Sequence, residues 1–162
     1  MDFRDVSEQL VREMEQELST DDLSFGFDAP LEPLVPPGSY IVAFVKADQR
    51  SMFRTKKLFL HWRIVEPFKF DGVTLFQSFN MPTDGTKWGL GHKFLATWIL
   101  ANGIRPVRRD RLSTAVFRKK YFQARVVTVK KTGKGLDRPE AAQYSVVDEL
   151  VAVVAGGSHV KP

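Results

Sequence analysis

Cysteine is absent from the 162 residues. That absence excludes disulfide staples, cysteine-ligated zinc, iron–sulfur clusters and a thiol nucleophile together, so packing alone has to hold the fold. Long apolar runs are missing as well: no stretch approaches the roughly 18 residues that a membrane span needs. The acidic, polar start also lacks the basic-then-apolar order of a signal peptide. The expected location is therefore cytoplasmic, with no membrane partner.

Histidine is scarce, and His61, His92 and His159 stand in separate predicted elements, without the H-x-x-x-H or carboxylate spacing that suits a metal. A phosphate loop is missing too. Gly85, Gly89 and Gly91 with Lys87 and Lys93 do not spell G-x-x-x-x-G-K-S/T and do not directly follow an apolar strand. The adjacent acids Asp148 and Glu149 fall in a predicted strand, where neighbouring side chains diverge. No catalytic residue, metal ligand or cofactor emerges, and the expectation is a protein that is not an enzyme.

What is present is a segregated charge. Residues 1–33 carry ten acids against Arg4 and Arg12, a net charge of −8. The remainder holds 22 of the 24 Lys and Arg but nine of the 19 Asp and Glu, a net charge of +13. A cationic body suits a polyanion, and an acidic arm suits either covering that body or recruiting a partner. With 43% hydrophobic residues, the chain can bury one core of ordinary size.

Within the arm, Val6, Leu10, Val11, Met14 and Leu18 recur at spacings of three or four, which predicts an amphipathic helix. Pro30, Pro33, Pro36 and Pro37 make residues 19–37 read as an extended linker. The predicted domains are thus an acidic helix and Pro-rich linker over 1–37, a body over 38–155, and a disordered tail over 156–162.

In the body, β-branched and aromatic residues predict strands at 40–46, 57–65, 73–79, 120–130 and 143–154. Leu58, Leu60, Trp62 and Ile64 alternate with Lys57, Phe59, His61 and Arg63, so one face of the second strand belongs to a core and the other is open. Asp71-Gly72 supports a tight turn before the third strand. A helix follows, capped by Thr83 or Asp84 and stopped by Asn102-Gly103, with Gly89 and Gly91 weakening its first turns. Three strands, one helix and two strands form the succession of a mainly β, five-stranded OB-type Greek-key barrel with a helix between strands three and four. SH3-like barrels and half-open sandwiches can be drawn from the same strands.

Single-stranded nucleic acid needs cations along its backbone and flat rings for its bases. Three segments offer both. The first is the loop with Arg50, Phe53, Arg54, Lys56 and Lys57; the second is the open face of strands two and three, with Phe59, His61, Arg63 and Phe76. The third is the entry to strand four, with Lys119, Lys120, Tyr121, Gln123 and Arg125, followed by the basic hairpin that starts at Lys130 and Lys131. Phe59 and Tyr121 are the expected stacking rings.

Further residues carry a resemblance to a family. Pro37-Gly38-Ser39-Tyr40 opens the first strand, Ile64-Val65-Glu66 closes the second, and Phe79-Asn80-Met81 ends the third. The helix ends in Leu100-Ala101-Asn102-Gly103-Ile104. Over residues 36–151 the chain resembles the OB-fold single-stranded DNA-binding proteins of phages and plasmids. That resemblance implies sequence-tolerant binding of single-stranded DNA in replication or recombination, often as a homo-oligomer. Bacterial-type members carry their acidic recruiting segment at the C-terminus, whereas here the acids lie at the N-terminus.

The expected partner is single-stranded DNA, with RNA left open because nothing marks a contact to a 2′-hydroxyl. The acidic helix is expected to recruit a replication or recombination protein, or to occupy the empty groove as a DNA mimic. The alternative is an interaction module whose basic barrel docks an acidic protein.

Overall fold

The computed structural model describes residues 32–52, 55–82 and 88–156. The expected N-terminal helix, the capping residues Thr83 and Asp84, and the tail beyond Gly156 lie outside the described residues, as do Phe53 and Arg54.

The alternating run at 57–65 becomes the middle of strand β2 (Thr55–Glu66), whose Leu58, Leu60, Trp62 and Ile64 are buried in the core. It pairs with β1 (Gly38–Met52) on one side and β3 (Thr74–Asn80) on the other. Strands β4 (Lys120–Val129) and β5 (Tyr144–Gly156) complete one antiparallel sheet in the order β3-β2-β1-β4-β5. Among the described residues one α-helix, α1 (Lys93–Asn102), stands between β3 and β4. The protein is mainly β, as expected from its strand-forming runs.

Strand β1 is longer than the predicted 40–46. A register shift between Phe44 and Lys46 takes up Val45, and beyond it β1 continues against β2 alone. The shift turns Ala47 onto the core and places Lys46, Asp48 and Arg50 opposite His61, Phe59 and Lys57. A bulge of this kind sharpens the local twist. In the sequence, the charges that the outer face requires made this half of the strand read as a loop.

Trp62 is the centre of the core. Its ring meets those of Phe44, Phe117 and Phe122 at centroid distances of 5.4–5.6 Å. Its indole Nε1 donates to Gln77 Oε1 at 3.1 Å, which accounts for a buried polar side chain on the inner face of β3. Helix α1 presses Phe94 onto Phe79 and Phe117. It begins later than the sequence suggested, at Lys93, because Gly89 and Gly91 oppose helix before it. Its N-cap is His92, whose Nδ1 accepts from the Phe94 amide at 3.0 Å. Gly103, at φ 85°, gives the left-handed stop that Asn102-Gly103 predicted.

The packed body also takes in residues 33–37, which the sequence assigned to the linker. Val35 belongs to the core, and Ser145 Oγ both accepts from the Val35 amide at 2.8 Å and donates to its carbonyl at 3.0 Å. The Ser145 amide donates to the Pro33 carbonyl. Proline excluded regular ladder pairing here but not docking against the edge of β5. Among the described residues no helix is long and apolar enough to cross a membrane.

Candidate nucleic-acid interface

Because side chains on a strand alternate, burying Leu58, Leu60 and Trp62 forces Lys57, Phe59 and His61 outward. The β2–β3 register then sets Phe59 opposite Ser78, His61 opposite Phe76 and Arg63 opposite Thr74 on that outer face. Phe59 and Phe76 meet edge to face at 5.6 Å. Phe76 in turn lies 5.8 Å from Tyr144, the first residue of β5, at an interplanar angle of 32°. β3 and β5 are the two edges of the sheet, so this contact carries the ring row across the opening between them.

Arginine closes the row at both ends. The Arg50 guanidinium lies 5.1 Å from the centroid of Phe59, and that of Arg138 lies 5.2 Å from the centroid of Tyr144. Arg50 comes from the β1–β2 hairpin and Arg138 from the β4–β5 hairpin, where its amide donates to the Lys130 carbonyl and its Nε to that of Lys131. The hairpin thereby brings Lys130 and Lys131 to the same end of the row.

Phe59 differs from expectation. It is 9% exposed, under Arg50 and beside Phe76, so it supports the row rather than offering a bare ring. Phe76 and Tyr144, both partly exposed, form the accessible platform. Carboxylates order the charges around it. Asp48 holds His61 Nε2 at 3.0 Å and lies 3.6 Å from Arg50, while Asp71 holds Arg63 at 3.0 Å. Lys131 lies 3.8 Å from Asp137. Lys56, Lys57 and Lys130 have no ion-pair partner among the described residues.

The β4 cluster goes elsewhere. Tyr121, Gln123 and Arg125 do point away from buried Phe122, Ala124 and Val126, as their alternation predicts. Tyr121 pairs with Ala43 of β1, which pairs with Arg63 of β2, so two strand spacings, about 10 Å, separate this group from β2. Three of its side chains, Lys120, Gln123 and Arg125, are occupied. Gln123 donates to Ser39 Oγ at 2.9 Å, and Lys120 Nζ donates to the Ala101 carbonyl at 2.7 Å, where a cation suits a helix C-terminus. Lys119 is exposed at a left-handed backbone position, φ 58°, that leads into the strand.

Arg125 reaches Asp148 at 3.0 Å through Nε and Glu149 at 3.1 Å through Nη2. Hydrogen bonding to Asp148 raises the guanidinium pKa further above its ordinary range. Asp148 and Glu149 were expected to diverge. They converge on one guanidinium because the β4–β5 register shifts between Arg125 and Val126.

Sequence reading missed Tyr144, Arg138 and Asp48. The signal for the first two was an aromatic at the start of a predicted strand just after a basic hairpin. The chain matches no protein-family model and no curated protein sequence.

Proposed function

We propose that the body is an OB-type barrel that binds single-stranded DNA with little sequence preference, as a non-catalytic component of replication or recombination. Supporting the barrel are the order β3-β2-β1-β4-β5, the approach of the edge strands at Phe76 and Tyr144, and the helix between β3 and β4. OB domains bind ligands on the face of strands two and three, between the loops that join strands one to two and four to five. Arg50 lies at the end of β1 next to the first of these loops, and Arg138 lies in the second.

The observation that carries the proposal is the row Arg50, Phe59, Phe76, Tyr144, Arg138. Bases have flat faces that gain about 1–3 kcal/mol each on an aromatic ring, whatever their identity. Phosphates flanking the stacked bases would meet guanidinium and ammonium groups at either end, releasing condensed counterions. Stacking on the row needs open base faces, which an unpaired strand offers and a duplex hides.

Anisotropy titration of the full chain with labelled oligo-dT, its duplex and an RNA counterpart tests the reading. Binding to oligo-dT that weakens steeply with salt, with the duplex much weaker, is expected. Absence of binding to any single strand at low salt would overturn it, and an equal or stronger RNA arm would change the ligand from DNA to RNA.

A further inference from the structure

The connector between α1 and β4 places Arg105, Arg108, Arg109 and Arg111 within seven residues. The same region leaves large aliphatic side chains in solvent: Val107 is 102% exposed, Leu90 79% and Ile104 71%. Leu90 and Val107, with Leu95 and Ile99 of α1 and with Arg105 and Arg109, line an open groove of about 500 Å³.

The groove is preformed. The Trp88 amide donates to the Arg109 carbonyl at 3.2 Å, and Arg109 Nη1 reaches back to the Trp88 carbonyl at 3.4 Å. The connector is therefore tied to the segment that enters the helix. Arg108 is neutralised by Asp110, at 3.0 and 2.6 Å. Arg105, which lines the groove, is exposed and has no carboxylate partner among the described residues.

We infer that this groove docks an acidic, amphipathic segment of a partner protein, with a Leu- or Phe-type side chain against Leu90 and Val107 and carboxylates facing Arg105 and Arg109. Charge complementarity selects an acidic occupant, and an exposed apolar patch rimmed by polar groups is the mark of a protein-binding surface. A helix laid in an apolar groove is one standard mode of such recognition. Nucleic acid suits the site poorly, because the groove is lined by aliphatic side chains and offers no ring for a base. The groove shares no residue with the Phe76–Tyr144 platform, so it stands whether or not that platform binds DNA.

The test uses the full chain and a fluorescein-labelled synthetic peptide with Asp and Glu on one helical face and Leu and Phe on the other. A control peptide carries Ser in place of every Leu and Phe. The first peptide is expected to bind at least about tenfold more tightly than the control, and Val107→Asp to weaken it by about tenfold or more through lost apolar contact and like-charge repulsion. Val107 is fully exposed, so this substitution leaves the core alone. Arg105→Glu is expected to weaken the same peptide, while oligo-dT affinity of both variants stays within about twofold. No binding of the first peptide, equal binding of the control, or an undiminished Val107→Asp complex would overturn the inference. Loss of oligo-dT binding matching the loss of peptide would reassign the groove to nucleic acid.

Discussion

The outer faces of β2 and β4 read alike in the sequence, each with an aromatic ring among Lys, Arg and polar residues, yet the fold uses them differently. On β2 the ring and its neighbours join Phe76 and Tyr144 into a continuous platform with an arginine at each end. On β4 Gln123 is bonded to Ser39, Lys120 to the helix end and Arg125 to Asp148 and Glu149, and no ring row forms; on β2 His61 and Arg63 are held by Asp48 and Asp71, but Lys57 has no ion-pair partner among the described residues. One guanidinium beside two carboxylates leaves that corner net negative, so a phosphate gains little there. Ring-plus-cation composition marks an outer strand face, while the neighbouring strands decide whether its ring meets others in a row.

The strongest way to break the contrast is to test its premise that β4 turns alternate residues inward. Phe122 is fully buried against Trp62 and Phe117. Phe122→Ala is therefore expected to cost about 3–5 kcal/mol of folding stability, whereas Tyr121→Ala, on the outer face, should cost less than about 1 kcal/mol. Denaturant melts of the two variants check this, and similar losses would mean that the strand is turned differently.

Next in size is binding. Tyr144→Ala or Phe76→Ala should lose about 1–3 kcal/mol of oligo-dT affinity with the fold intact, and Tyr121→Ala should lose less than about 0.5 kcal/mol. If Tyr121→Ala is the more damaging variant, the two faces have been assigned the wrong way round. Phe59→Ala belongs with the stability variants as much as with the binding ones, because Phe59 is nearly covered.

The smallest effect sharpens the comparison by counting phosphates. On single strands the slope of log K against log salt falls by about 0.7 for each phosphate contact removed. Lys57→Ala should flatten the slope by about that amount. Arg125→Ala should leave it unchanged, since its charge is balanced within the β4–β5 pair. Equal slopes for both variants would erase the distinction.

Much of the fold was legible because it rests on local rules. Residues 57–65 alternate, Asp71-Gly72 turns, and Asn102-Gly103 ends a helix; each of these depends on a few adjacent residues, and each is realised. The outer half of β1 was not legible, because Lys46, Asp48 and Arg50 look like loop residues until β2 pairs with them. Nor was the role of residues 33–37, where Ser145, 110 positions from Val35, supplies the hydrogen bonds.

The site divides in the same way. That Lys57, Phe59, His61 and Arg63 share one face follows from a period of two, which is strand geometry alone. That Phe76 bridges Phe59 to Tyr144, that Arg50 and Arg138 close the row, and that Arg125 is neutralised depends on strands meeting in the folded chain. Those contacts join distant parts of the chain across paired strands and the opening between β3 and β5. Their register is set by bulges and by which edges approach, quantities that no local pattern encodes.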